Sequence, residues 1–269
     1  MGCFILKKLR AFCSVTTVLL AIAFISVVIV TATTVTQTDD LQLEPVAARS
    51  SPMTSQSATT VLPATNTAPH KVVYLTFDDG PDPTNTPQIL DILKSYNVPA
   101  TFFVIGTQVE ASPQVLQRIR DEGHAIGNHT YNHRYKELYQ SSDAYIAQLR
   151  KTDALVHDAV GARPEISRAP GGTTGNFTTA YWTLLEHEGY REVGWNISSG
   201  DASSARSAQI INNVIQQAQQ KHLWPRAIVL MHDGIGHLET VTALPQIIEY
   251  FLREGFEFRI VDRSTPSPW

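Results

Sequence analysis

The sequence predicts an α/β fold built on a parallel sheet, either closed into a barrel or left open. Three observations carry this reading. From His70 onward, short β-branched or aromatic runs alternate with amphipathic helical stretches, the order that parallel strands with crossover helices require. Two helices open on a hydroxyl residue followed by proline, at Thr86-Pro87 and Ser112-Pro113, which reads as an N-cap before a proline in the first helical position. Polar clusters stand at the ends of successive strands, where both kinds of parallel sheet gather functional groups.

In chain order, strands are predicted at Val72–Phe77, Ala100–Ile105, His124–Asn128, Glu165–Ala169, Glu192–Ile197, Ala227–Met231 and Phe256–Val261. Helices are predicted from Thr86, from Ser112, and at Ala144–Ala159, Thr178–Glu188, Ser207–Gln220 and Glu239–Glu254. In the last helix Leu244, Ile247, Ile248, Phe251 and Leu252 share one face, and Gly255 terminates it.

The first 69 residues have a different character. Lys7, Lys8 and Arg10 precede an apolar run, Ala11 to Val30, broken only by Ser14, Thr16, Thr17 and Ser26. Twenty residues at 1.5 Å each span about 30 Å, the hydrocarbon thickness of a bilayer. The basic flank stays in the cytoplasm, so residues 1–31 are expected to form a single-pass cell-membrane anchor with the rest of the chain outside. A cleavable signal peptide is the alternative and would give a secreted protein, but Val30-Thr31-Ala32 matches the small-residue cleavage pattern poorly. Residues 32–69, rich in Thr, Ser, Ala and Pro, have no sustained apolar period with which to offset chain entropy. They read as a flexible stalk before a folded domain at 70–269.

Composition sets further bounds. Apolar residues make up 43% and charged residues 17%, enough for a sizeable core. Of the net charge of -4, residues 1–69 carry +1, since Lys7, Lys8, Arg10 and Arg49 outnumber Asp39, Asp40 and Glu44 by one. The remainder is acidic, which argues against nucleic acid as a partner. Both cysteines, Cys3 and Cys13, precede the domain, leaving it without a disulfide or a cysteine-ligated metal. Cys3 has no apolar stretch before it, as a lipoprotein signal would need, and reads as a membrane-proximal thiol.

The polar clusters at the strand ends are Thr76–Gly80, His129–His133, Arg168–Gly172, Asp201, and His232-Asp233. A spacing of four puts the imidazoles of His129 and His133 on one face of a helical turn, where both reach one cation. Two unrelated surface or core histidines are the competing reading. Two His plus one Asp make a three-ligand set that leaves positions open for water. Asp78 and Asp79 are adjacent, so strand alternation points them to opposite sides and gives them different tasks, one on a metal and one as a base. Asp-Asp-Gly-Pro is equally the composition of a plain turn. Arg168 can hold a carboxylate ionised, and Gly171-Gly172 can free N–H groups for an oxyanion, although a glycine loop with a surface arginine has the same sequence. His232 emerges from an apolar strand and can protonate a leaving amine, with Asp201 able to orient it, although a structural histidine is the competing reading.

Together these segments resemble the polysaccharide deacetylases of carbohydrate esterase family four, over residues 70–262. The resemblance rests on five motifs in order: Thr76–Gly80, His129-Thr130-x-x-His133, Arg168-x-Pro170-Gly171-Gly172, Asp201 and Leu230-x-His232. It implies a distorted (β/α) barrel of about seven parallel strands. It implies Asp79, His129 and His133 on a divalent metal, zinc first and cobalt or another ion second. Asp78 would be the general base, held by Arg168, and His232 the general acid, paired with Asp201. The Gly171 N–H would stabilise the oxyanion and Leu230 would line the acetyl pocket. Asp78 would take the proton of the attacking water and His232 would protonate the departing sugar amine. One departure concerns pocket shape. Ala202 follows Asp201 where an aromatic residue is usual, and Ser198 stands where an acidic one is often found. Trp182 and Trp195 are candidate sugar platforms, with a core position as the alternative for each.

The expected activity is removal of N-acetyl groups from an extracellular glycan. Peptidoglycan N-acetylglucosamine is the first candidate, chitin-type oligosaccharides the second and O-acetylated xylan the third. A non-catalytic glycan-binding module on the same scaffold should have lost ligands or the acid–base pair, and here all are present. An amidase acting on a non-carbohydrate amide is a further alternative.

Overall fold

The structure, a computed structural model, describes residues 70–266. The expected anchor, the stalk and residues 267–269 lie outside the described residues. Strand β1 (Val72–Asp78) lies at the centre of the sheet, and all seven of its residues are buried. Around it stand β2 (Thr101–Val104), β3 (Ala125–Asn128), β4 (Ile166–Ser167), β5 (Arg191–Glu192), β6 (Ile197–Ser198), β7 (Ala227–His232) and β8 (Glu257–Phe258). Every pairing is parallel. The path runs β5-β4-β3-β2-β1-β7-β6, with β8 pairing β1 outside it. The helices are α1 (Asn85–Tyr96), α2 (Gly106–Ala111), α3 (Pro113–Asp121), α4 (Tyr135–Leu138), α5 (Ser142–Val160), α6 (Thr179–His187), α7 (Ser207–Ala218) and α8 (Leu238–Arg253).

Seven strands thus lie along the path, but not the seven read from sequence. The segment expected as one strand at Glu192–Ile197 divides into β5 and β6, which sit at opposite ends of the path. Val193 N donates to Ser167 O of β4, whereas Asn196 N donates to Ile228 O of β7. The few residues between them carry the chain across the gap between the two edges. That crossing is the distortion of the barrel. The last strand, β8, pairs only the amino-terminal half of β1, through Val72 and Val73, while β2 takes the half beginning at Thr76.

Side chains alternate along each strand, and this sorts the core into two layers. Val73, Leu75, Phe77, Phe102, Val104, Val229 and Met231 join helix residues such as Ile89, Leu93, Leu116, Val214 and Leu244 in one cluster. Val72, Tyr74, Phe103, Ile166 and Ile228 form an inner cluster with Val193 and Val261. Each such buried side chain contributes about 1.5–3 kcal/mol. The next inward positions are Thr76 and Asp78 on β1, and Leu230 and His232 on β7. The period that builds the interior therefore also aims the polar groups at its carboxyl end.

The helices follow the sequence pattern with local differences. Helix α5 starts where Ser141 Oγ accepts from Ala144 N and stops at Gly161, whose φ is 77°. Pro113 occupies the start of α3 as expected, although Ser112 makes no side-chain cap. The opening at Thr86 is corrected. Helix α1 begins at Asn85, and Thr86 turns inward to Asp82 and Asp233 rather than capping. On α8, Leu252 is 45% exposed, off the face shared by Leu244, Ile247, Ile248 and Phe251.

Gly127 of β3 lies under Phe103, and a Cβ there would overlap that ring. Gly127→Ala is expected to cost about 1–3 kcal/mol through overpacking, read as a lower urea midpoint with an unchanged slope.

Candidate active site

The carboxyl ends of β1, β3, β4 and β7 bring three groups of side chains together. The first is built on the turn after β1. Asp78 ends the strand and is 2% exposed. Asp79 follows in left-handed backbone, φ 78°. Asp233 holds this turn: Gly80 N donates to its Oδ1 at 3.1 Å and the Thr86 hydroxyl to its Oδ2 at 2.5 Å. The Asp233 N–H in turn donates to Asp78 O. Burial pushes the Asp233 carboxyl up to about 7. Asp78 and Asp79 were expected on opposite sides. They instead lie 3.9 and 3.5 Å from His129 Nε2, because β1 has ended and the positive φ swings Asp79 back toward the rim.

The two histidines also arrive by a different route from the one predicted. Residues 129–134 are a loop, not a helical turn, and Thr130 and His133 have φ of 69° and 56°. The loop is fixed from outside. Asn128 Oδ1 accepts from Thr130 N, Gln148 Oε1 accepts from Tyr131 N and Asn132 N, and Gly106 N donates to Thr130 O. His129 Nδ1 lies 2.7 Å from Arg168 O, which assigns it the proton and leaves Nε2 with a free lone pair. Burial lowers His129 to about 3, so the ring is neutral at ordinary pH. His133 Nε2 stands 3.6 Å from Asp79 Oδ1. That oxygen is buried and has no hydrogen-bond partner. An orphaned carboxylate oxygen facing two imidazole lone pairs suits a divalent cation, and the donor set suits zinc.

Arg168 is the second group. The side chain is completely buried, so the surface alternative is excluded. Nη1 donates to Asp78 Oδ1 at 2.9 Å and Thr76 Oγ1 at 2.7 Å, Nε to Val193 O, and Nη2 to Gly194 O. The guanidinium lies 4.1 Å over the Phe103 ring. Burial raises the Asp78 pKa, against the pull of Arg168 and His232.

The third group is Asp201 with His232. His232 Nδ1 is 2.8 Å from Asp201 Oδ1, and His232 N donates to Oδ2. Ser199 and Thr240 hydroxyls donate to the two oxygens as well. His237 stacks on His232 with ring centroids 5.0 Å apart. Asp201, His232 and His237 form a second donor cluster of metal-binding size. With four hydrogen bonds on its carboxylate, Asp201 is matched to orienting an imidazole rather than to ligating an ion. Burial alone would lower His232, but the Asp201 bond and the charges of Asp78, Asp201 and Asp79 raise it to about 9.

Gly171 has φ 71° and its N–H has no acceptor among the described residues. Gly172 N is taken by Ala169 O. Leu230 is 9% exposed on the inward face of β7. Trp195 packs with the inner cluster and under Gly172. Trp182 is 44% exposed and lines a separate cleft of about 480 Å³ with Tyr190, Arg191 and Arg263, so the core alternative fails for it. Ala202 and Ser198 are both exposed. Sequence reasoning assigned no part to Asp233, Ser199, Thr240, His237 or Tyr135. Only Asp233 had an available signal, its position directly after His232 at a strand end.

A parallel α/β sheet carrying two histidines and an aspartate of metal-binding size beside a second carboxylate–imidazole pair at its carboxyl ends is suited to metal-assisted hydrolysis. The polysaccharide deacetylase family model matches residues 65–193. A peptidoglycan-N-acetylglucosamine deacetylase of Bacillus cereus is 35% identical over 191 residues, covering 70% of this chain and 85% of that protein. A chitooligosaccharide deacetylase of Bradyrhizobium is 34% identical over 197 residues, covering 69% and 86%. Among solved structures, a polysaccharide deacetylase of Bacillus cereus superposes with a TM-score of 0.67 at 30% identity, covering 74% of this chain and 96% of that one. The chain belongs to the polysaccharide deacetylase family, carbohydrate esterase family four.

The Asp201–His232 geometry sets a titration. In metal-free protein His232 should lose its proton near pH 9, and Asp201→Asn, which removes the partner's charge, should move that loss to lower pH. An imidazole NMR titration reads both, and equal midpoints would detach His232 from Asp201.

Proposed function

We propose that this enzyme removes N-acetyl groups from a glycan outside the cytoplasm, peptidoglycan N-acetylglucosamine first and chitin-type oligosaccharides second. One observation carries the reading: two acid–base units flank the Asp79–His129–His133 cluster, and each has its own fixed partner. The names of the relatives, peptidoglycan-N-acetylglucosamine and chitooligosaccharide deacetylases, support both substrate classes.

Asp79, His129 and His133 would hold a divalent ion, with zinc favoured by the imidazole donors. Bound there, such an ion would polarise the acetamide carbonyl and acidify water. Asp78 accepts the proton of the attacking water through Oδ2, since Oδ1 is engaged by Arg168. Arg168 keeps that carboxyl in one rotamer. Gly171 N–H offers a donor to the oxygen that gains charge. His232, protonated below about 9, gives its proton to the departing amine while Asp201 fixes the ring. Leu230 would bound the space for the acetyl methyl.

Acetate release from peptidoglycan and from chitooligosaccharides tests the reading. Asp78→Asn and His232→Ala should each lose about 10²- to 10⁴-fold in rate while still binding zinc. Asp79→Ala should lose zinc and activity together. Wild-type activity no greater than that of Asp78→Asn on every glycan would favour a binding module instead. Zinc loss in Asp78→Asn would reverse the roles of the two aspartates.

Residues 1–31 are proposed as a single-pass membrane anchor that keeps the domain at the cell surface, on the strength of the basic flank and the apolar run. Intact chain should sediment with membranes, and deletion of residues 1–31 should give soluble, active enzyme. Mature protein beginning near Thr33 would establish cleavage and secretion.

A further inference from the structure

Tyr135 opens α4 two residues after His133 and stands 48% exposed at the rim. Its ring meets His133 edge to face, with centroids 5.4 Å apart. On its other flank is Gly171. A Cβ on Gly171 would lie 2.7 Å from Tyr135 Oη and 3.0 Å from Cε1, so the phenol fills the place a side chain at 171 would take. The neighbouring tyrosine is spoken for: Tyr139 Oη donates to Pro170 O at 2.6 Å and pins the same loop. Tyr131, Tyr96 and Tyr190 also donate to protein oxygens. The Tyr135 hydroxyl has no such acceptor among the described residues. An unused donor is therefore held between a histidine of the Asp79 cluster and the one backbone N–H of the Arg168–Gly172 loop suited to an oxyanion.

We propose that Tyr135 is a catalytic residue of this enzyme, its hydroxyl donating a hydrogen bond to the acetamide oxygen alongside Gly171 N–H. The inference rests on the deacetylase reading above. It gives Gly171 a second reason to be glycine besides its positive φ, because any side chain there would displace the donor. A ring serving only as an apolar wall for sugar would not require the oxygen to sit over Gly171.

The test uses the full chain loaded with zinc and compares Tyr135→Phe, Tyr135→Ala and wild type in three measurements. These are kcat and KM for acetate release from chitooligosaccharides, zinc content, and calorimetric affinity for acetohydroxamate, which carries the acetyl group and no sugar. Tyr135→Phe should lower kcat by about 10²-fold with KM and zinc content unchanged. It should also weaken acetohydroxamate by several-fold. Wild-type kcat in Tyr135→Phe overturns the inference, and a raised KM confined to Tyr135→Ala would make the ring a sugar wall. Loss of zinc from Tyr135→Phe overturns it too, making the residue a support for His133. A wild type that releases no acetate from any glycan defeats the deacetylase reading, and acetohydroxamate then decides Tyr135 alone: equal affinity in Tyr135→Phe rejects the contact and weaker affinity supports it.

Discussion

The buried guanidinium of Arg168 ties the fold to the chemistry. It bonds the end of β1 through Asp78 and Thr76, and it bonds the carbonyls of Val193 and Gly194 in the segment crossing between the sheet edges. Thr76 relays the contact to β7 by donating to Val229 O. A charge this deep is tolerable only because each face of it is met by a carboxylate, a carbonyl, a hydroxyl or an aromatic ring. Without it, Asp78 would be an uncompensated buried anion and the crossing segment would lose its fastening. One side chain thus stands in for the strand pairing that a complete barrel would have there.

Environment separates groups of the same chemical type. Asp78, Asp201 and Asp233 are all buried carboxyls. Asp78 faces a permanent cation, Asp201 an imidazole with two hydroxyls, and Asp233 only neutral donors. Its neutral donors make Asp233 a clamp on the turn carrying Asp79, whereas Asp78 and Asp201 each face a cationic side chain, Arg168 and His232. The histidines divide the same way. Burial leaves His129 a neutral donor despite its carbonyl partner, and a carboxylate partner keeps His232 charged.

Much of the fold and the site was legible because strand alternation and strand-end position are both local properties of the sequence. The runs at Val72–Phe77 and Ala227–Met231 predicted β1 and β7, and with them the place of Asp78 and His232 at the strands' carboxyl ends. What was not legible depends on distant partners. Nothing in Glu192–Ile197 says that its two ends bond to different edges, since that choice lies with Ser167 and Ile228. The His129–His133 spacing suits a helical turn, yet Gln148 and Gly106 hold the loop so that β-branched Thr130 takes left-handed backbone, against its local propensity. Tyr135 gave no signal, because its position is defined only by the missing side chain of Gly171, far along the chain.

The pairing of β8 with the beginning of β1 has a consequence for how the domain can be handled. Glu257 N donates to Lys71 O and Arg259 N to Val73 O, so the start of the described chain lies beside the β8 segment at the amino-terminal side of the sheet. From Val72 to Asp78 the strand rises about 20 Å, which puts the rim at the opposite pole. A resin or a fusion partner joined just before residue 70 is therefore attached behind the working face. The Asp79–His129–His133 rim is left clear of the attachment.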